Sequence, residues 1–170
     1  MRSNLSGFMG AAGLALGLLA SGVAAAGDRQ AATAVERGRY LVTVAGCNDC
    51  HTPGYMQKGG AVPIGEWLTG TPVGYQGPWG TTYAANLRLT ASRLSEAEWV
   101  QRARQERLPP MPWFNVAAMT DADLKAIYAF IRSLGPAGTP APAYVAPGGK
   151  VTTPYFVFVP QVDPPRAAAR

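Results

Sequence analysis

The chain's only two cysteines and its only histidine lie within five consecutive residues, Cys47-Asn48-Asp49-Cys50-His51. This excludes a four-cysteine metal cluster, a Cys2His2 zinc site, a framework of several disulfides and any iron held by two histidines. Two thiols three positions apart on one helical turn can each add to a vinyl group of haem, and the next residue can place its imidazole beneath the iron. The segment therefore predicts one haem c attached through Cys47 and Cys50, with His51 as the proximal iron ligand.

A C-x-x-C pair can serve three other purposes, which the rest of the sequence favours less. A thioredoxin-like redox dithiol needs strands that alternate with helices, and the sequence has no such pattern. A zinc site needs a fourth ligand from a chain that has no further Cys or His. A structural disulfide leaves the long loop of residues 52–93 unexplained, because a loop rich in Gly, Pro and aromatic residues must surround something to bury its rings.

The first 26 residues have the layout of a secretory signal peptide. Arg2 is the only charged residue before Asp28, residues 5–20 form an apolar run, and the three alanines that end at Ala26 suit a cleavage site. The same segment is long enough to be an uncleaved membrane anchor. We predict cleavage after Ala26, which places the protein in the periplasm. Only an uncleaved form would be attached to the membrane.

Three helices are predicted from their first turns, where a hydroxyl precedes a carboxylate by three residues and can cap the free amides. The pairs are Thr33 with Glu36, Ser95 with Glu98, and Thr120 with Asp123. We expect helices over residues 33–45, 95–106 and 120–134, the last one ended by Gly135 and a following proline. No β-pattern is recognised between residues 27 and 135. The predicted fold class is therefore all-α, with long loops.

Composition divides the chain into a signal peptide (1–26), a haem domain (27–135) and a tail (136–170) that holds eight of the 15 prolines. This proline content predicts an extended tail with polyproline character. The apolar run from Tyr155 to Val159 is expected to lie against the domain or a partner, because contiguous apolar patches mark contacts. Since the haem-related motifs all precede the tail, we expect the tail to be dispensable for haem ligation.

A low-spin electron carrier needs a second strong iron ligand opposite His51, and without another histidine a methionine thioether is the natural choice. Three methionines follow residue 26. Met56 lies only five residues after His51, which keeps its backbone on the same side of the iron as His51. Met119 precedes a helix cap, where it could equally pack in the core. Met111 lies between two prolines, which restrict the backbone and hold the side chain at low entropic cost. Met111 is the favoured candidate.

Four further segments carry a family resemblance: Arg37-Gly38-Arg39-Tyr40-Leu41, Gly80-Thr81-Thr82-Tyr83-Ala84-Ala85-Asn86, Pro110-Met111-Pro112-Trp113 and Met119-Thr120-Asp121-Ala122-Asp123-Leu124. With the C-x-x-C-H motif, they make residues 34–134 resemble the monohaem class I cytochromes c, in particular the haem domains of cytochrome subunits of periplasmic dehydrogenases. The resemblance implies a helical shell around one haem, with the first and last helices crossing near the motif. It also implies Met111 as the sixth iron ligand. The resemblance further implies a close approach of these helices at Gly38, and spacing places Tyr128 or Ile131 opposite it.

The resemblance also implies protein partners for the haem propionates and for the proximal histidine. The hydrogen-bond donors that the loop offers to propionates are Trp67, Tyr83, Asn86 and Arg88. Pro63 lies twelve residues after His51, where class I cytochromes often place a proline carbonyl that accepts the imidazole N–H. Each of these residues could equally serve ordinary packing or lie in solvent.

Taken together, these features predict a periplasmic one-electron carrier, or a haem subunit, that passes electrons between a dehydrogenase and the respiratory chain. Its partners would be redox proteins, and it would not itself be an enzyme. A haem enzyme or a gas-binding haem sensor is the alternative, and both need an open sixth position on the iron. The net charge of +5 comes without a dense Lys/Arg run, which argues against nucleic acid as a partner.

Overall fold

Helices form most of the regular structure in the computed structural model, which describes residues 30–160. Helix α1 occupies residues 30–44. In chain order there follow α2 (Cys47–His51), a 3-10 helix (Ile64–Glu66), strands β1 (Gly74–Gly77) and β2 (Gly80–Tyr83), helices α3 (Leu87–Ser92), α4 (Glu96–Ala103), α5 (Trp113–Ala117) and α6 (Asp121–Ser133), and strand β3 (Tyr155–Val157). The predicted signal peptide lies outside the described residues. Within residues 30–160, no helix is both long and apolar enough to cross a membrane.

Local capping chemistry predicted two of the helix starts correctly. A reciprocal capping box of Ser95 with Glu98 opens α4, and the Thr120 hydroxyl caps α6. Gly135 follows α6 with a φ of +69°, the left-handed conformation that ends many helices. The predicted start at Thr33 is wrong, because α1 is already helical at residue 30. The Thr33 hydroxyl instead donates to the carbonyl three residues earlier, as hydroxyls inside helices do.

Helices α1 and α6 cross in direct contact at Gly38. A Cβ atom at this position would overlap the carbonyl group of Ala126 and lie 2.7 Å from Cβ of Phe130, so only glycine permits the approach. The predicted close approach is confirmed, but its partners are Ala126 and Phe130 instead of Tyr128 or Ile131. Buried apolar residues surround the crossing; they include Leu41, Val42, Trp67, Leu68, Trp99, Ile127, Phe130 and Ile131.

A small three-stranded sheet departs from the all-α prediction. β1 pairs antiparallel with β2, and β3 pairs parallel with the other edge of β1. The expectation of no strand between residues 27 and 135 is therefore wrong, although the domain is mainly helical. β1 and β2 have four residues each and contain three glycines between them. Strands this short and this poor in side chains show no period-two alternation in the sequence.

The tail lies along this hairpin of β1 and β2. Val145 and Thr81 exchange two backbone hydrogen bonds of 2.8 and 3.0 Å, and the backbone N–H of Gly74 donates to the carbonyl of Pro154 at 2.8 Å. Residues 136–160 contain no helix, in keeping with their prolines. These residues therefore share one sheet with the predicted haem domain. Whether the tail is dispensable for haem ligation stays a prediction.

The apolar run from Tyr155 to Val159 contacts the hairpin through two aromatic rings. Those of Phe156 and Phe158 lie 6.0 and 5.8 Å from the ring of Tyr75. The prediction that the run lies against the domain is confirmed for these contacts. All five side chains nevertheless remain 43–60% exposed, so a large part of the run faces solvent.

Replacing Gly38 by alanine tests the crossing of α1 and α6. The added methyl group would overlap the backbone of Ala126, and we expect Gly38→Ala to lower the free energy of unfolding by about 3 kcal/mol. Gly65→Ala is the matched control, because a Cβ atom there meets nothing within 4 Å. Urea unfolding of the holoprotein, followed by circular dichroism, measures both variants. Equal stability of the two would contradict the close contact described for Gly38.

Candidate haem site

Helix α2 presents the two thiols, and it begins directly after a left-handed residue. Gly46 has φ 67° and ψ 22°, a conformation that glycine adopts without strain and that lets the chain turn between α1 and α2. Cys47 and Cys50 are both free and half-buried. Burial raises the pKa of the Cys47 thiol to about 11. Both sulfur atoms are thus on one short helix and available for thioether bonds.

The ring of His51 is buried and held by one backbone carbonyl. Its Nδ1 atom lies 2.7 Å from the carbonyl oxygen of Ala85. A carbonyl can only accept, so Nδ1 carries the proton in this bond. Burial lowers the pKa of the His51 ring, which keeps the imidazole neutral and leaves the lone pair on Nε2. A neutral imidazole with a free ring nitrogen is the form that binds metals.

Ala85 therefore takes the role that the sequence analysis predicts for Pro63. The carbonyl of Pro63 accepts the backbone N–H of Glu66 at 2.9 Å, at the start of the 3-10 helix. The prediction for Pro63 is wrong because it relied on spacing along the chain. Residues 84–86 reach the histidine from the far end of the long loop, and no local signal marks a carbonyl that acts across the fold.

Arg88 is buried, and its contacts are with the protein backbone. The side chain is 6% exposed, and the guanidinium donates hydrogen bonds of 2.5 Å to the carbonyls of Gly135 and Gly65 and a further bond to that of Leu134. Two of these carbonyls lie at the C-terminal end of α6, where the helix dipole favours a cation. The predicted role of Arg88 toward a propionate therefore gains no support from its hydrogen bonds.

The other three predicted propionate donors also have partners within the protein. The Asn86 side chain accepts a hydrogen bond at the N-terminus of α3 and donates to two carbonyls of the tail. The Trp67 indole N–H donates to a backbone carbonyl five residues earlier at 2.9 Å. The hydroxyl of Tyr83 shares a 2.8 Å hydrogen bond with that of Thr153. These contacts explain the positions of the three side chains without a propionate, and their roles toward haem stay predictions.

The three candidate methionines lie in different environments. Met56 is 54% exposed, and Met119 packs against the hydrophobic core. Met111 is half-buried in the segment before α5. A hydrogen bond of 2.8 Å from the Thr82 hydroxyl to the carbonyl of Pro109 ties this segment to the hairpin. Of the three, Met111 is neither largely exposed nor packed against the hydrophobic core. This environment suits a thioether that binds a metal.

Tyr75 is a neighbour of the attachment site to which the sequence analysis assigns no role. Burial, together with the nearby Cys50 thiol, raises the pKa of the Tyr75 phenol well above its usual range. The Tyr75 ring also packs on Phe156 and Phe158 of the tail. Tyr75 lies in a strand of only four residues, so no periodic pattern could have indicated its position.

Comparison with known proteins tests this interpretation of the site. A family model described as cytochrome c matches residues 35–135. The chain belongs to the cytochrome c family. It is also similar to a nicotinate dehydrogenase subunit of Pseudomonas putida (28% identity over 123 residues) and to the fructose dehydrogenase cytochrome subunit of Gluconobacter japonicus (29% over 122 residues). The alignments cover 66% and 64% of this chain, and 10% and 23% of the two relatives. No solved structure matches the chain.

The residues of this cytochrome c fit the cofactor of its family, a covalently bound haem c. Two free thiols on one helical turn, followed by a neutral imidazole with Nε2 available, are the donors that such a haem requires. The protein carries one haem c through Cys47 and Cys50. Among residues 30–160, no cluster of His, Cys, Asp and Glu could hold a separate metal ion. The family and the two relatives point to electron transfer as the function and not to catalysis.

Replacing Arg88 by methionine distinguishes a structural role from a role toward the propionates. Arg88→Met leaves three buried carbonyl contacts unmade, and we expect the free energy of unfolding to fall by about 3 kcal/mol. If the guanidinium serves only these carbonyls, no propionate loses a hydrogen-bond partner, and the reduction potential should change little. Urea unfolding and a redox titration of the holoprotein measure the two quantities. A shifted potential with unchanged stability would instead support propionate binding.

Proposed function

We propose that this cytochrome c is a periplasmic one-electron carrier or haem subunit, which takes electrons from a dehydrogenase and passes them to a redox protein of the respiratory chain. The observation that carries the proposal is the His51–Ala85 hydrogen bond beside two free thiols. A ligand whose orientation is held by the backbone can stay in place while the iron changes oxidation state. The layout of residues 1–26 as a signal peptide supports the periplasmic location.

We propose His51 and Met111 as the two axial ligands of the iron. The haem supplies the one-electron redox couple, and the chain's residues set its surroundings. Through Nε2, His51 would bind on one side, while its Nδ1–H remains on Ala85. A thioether from Met111 would be the second iron ligand; it would exclude small ligands and raise the potential relative to stronger donors. The link between Thr82 and the carbonyl of Pro109 supports this role, because it restrains the Met111 segment.

The names of the two relatives support a dehydrogenase as the electron donor. One is a subunit of nicotinate dehydrogenase and the other is the cytochrome subunit of fructose dehydrogenase. They act on different substrates, so the shared region fits a role in electron transfer better than a role in substrate recognition. Cleavage after Ala26 would remove Arg2 and lower the net charge from +5 to +4, which would still favour an encounter with acidic redox partners at low ionic strength.

An absorption spectrum with and without carbon monoxide tests the proposed function. With both axial positions filled, the reduced holoprotein should show sharp low-spin bands that carbon monoxide leaves unchanged. A haem enzyme or a gas sensor would bind carbon monoxide rapidly, because its sixth position is open. Rapid binding by the wild-type protein would therefore overturn the electron-carrier proposal.

Replacing Met111 by alanine tests the sixth ligand. Met111→Ala should abolish the near-infrared sulfur-to-iron charge-transfer band of the oxidised protein and open the reduced iron to carbon monoxide, because the thioether is removed. Met119→Ala is the matched control; it removes a thioether from the core and should change neither property. If Met119→Ala loses the band and Met111→Ala keeps it, the ligand is Met119.

A further inference from the structure

A chain of buried hydrogen bonds begins inside the haem-attachment motif. Asn48, between the two cysteines, is 1% exposed, and Thr52, which follows the histidine, is 2% exposed. The Thr52 hydroxyl donates to Asn48 Oδ1 at 2.7 Å and accepts from the backbone N–H of Leu68 at 2.8 Å. This one hydroxyl therefore links α2 to the loop of residues 68–71.

Leu68 holds a backbone conformation that its side chain disfavours. Its φ is +61°, and within residues 30–160 it is the one non-glycine residue with a positive φ. Such a conformation costs about 1–3 kcal/mol and persists where the surroundings enforce it. Here the Thr52 hydroxyl holds the N–H of Leu68, and the carbonyl of Leu68 accepts from the N–H of Leu87 at 3.0 Å.

The loop that contains Leu68 packs closely against the backbone on either side of the Ala85 carbonyl. A Cβ atom at Gly70 would lie 2.8 Å from the backbone nitrogen of Asn86 and 2.9 Å from the carbonyl oxygen of Ala84. The N–H of Gly70 also donates to the carbonyl of His51 at 2.7 Å. These contacts connect α2 to the His51 ring in three steps. The Thr52 hydroxyl at the end of α2 bonds to the loop of residues 68–71, this loop packs against residues 84–86, and the carbonyl of Ala85 accepts from the His51 ring.

We propose that Asn48 and Thr52 are positioning residues for the proximal histidine, which set the reduction potential by holding the Ala85 carbonyl on His51 Nδ1. This inference rests on the proposed role of His51 as an iron ligand. A firm acceptor on Nδ1–H makes the imidazole a stronger donor, which favours the oxidised iron. Loosening the acceptor weakens the donor and raises the potential. Asn48 orients the Thr52 proton, so that the hydroxyl lone pair faces Leu68.

The main test compares Thr52→Val with Thr52→Ser. Valine keeps the shape of threonine without its hydroxyl, whereas serine keeps the hydroxyl. Two quantities are measured on the holoprotein: the midpoint potential, and the hydrogen-exchange rate of the His51 Nδ1 proton in the reduced state by NMR. Thr52→Val should raise the potential and speed the exchange by about tenfold, as local opening becomes easier. Thr52→Ser should restore both to wild-type values.

Thr43→Val is the matched control, because it removes an exposed hydroxyl that bonds within α1. It should change neither quantity. Asn48→Leu removes the acceptor of the Thr52 proton at similar volume and should shift both quantities in the same direction as Thr52→Val. The double variant should shift them no further than Thr52→Val alone, because both residues act through one chain of hydrogen bonds.

Wild-type potential and exchange in Thr52→Val, with reduced stability alone, would overturn the inference and leave the hydroxyl a purely structural role. If Thr52→Val does not accumulate as holoprotein, Asn48→Leu decides the question by the same two measurements. Failure of the proposed function is distinguishable, because it appears in the wild-type protein as carbon monoxide binding before any variant is compared.

Discussion

The hydrogen bond from His51 Nδ1 to the carbonyl of Ala85 is the constraint on which much of the surrounding structure depends. A buried donor without an acceptor costs about 1–3 kcal/mol, so a buried imidazole next to the cysteines must have a partner. A backbone carbonyl can stay at 2.7 Å only if the segment on either side of it is restrained. The close contact at Gly70 and the Asn86 cap of α3 provide that restraint.

Side chains that bind backbone carbonyls stabilise the long connections of this protein. Arg88 joins the end of α6 to the 3-10 helix, and Asn86 joins the start of α3 to the tail. Both are polar residues at the start of α3, within residues 52–93, which the sequence predicts to be a loop in contact with the cofactor. In the fold they instead satisfy carbonyls at the end of α6 and in the irregular backbone. The sequence alone therefore does not decide whether a polar residue near a cofactor motif binds the cofactor or a backbone carbonyl.

The hairpin of β1 and β2 joins the tail to the rest of the domain. The tail adds a strand to one edge of β1, and Tyr75 of β1 packs on the tail and lies near Cys50. The sequence predicted an extended tail, and its described part, residues 136–160, contains no helix, because prolines prevent helix formation locally. It did not reveal the sheet, since strands of three and four residues obtain their stability from pairing and not from their own pattern.

The sequence by itself determined the cofactor chemistry and the starts of α4 and α6. Thioether attachment depends on two thiols and an imidazole within five residues, and the caps at Ser95 and Thr120 act within one turn. Only the tertiary structure decided which carbonyl meets His51 and where the tail lies. The physical reason is sequence distance: these contacts join residues 34 and 70 positions apart, and the hydrogen-bonding capacity of a backbone carbonyl is the same at every residue.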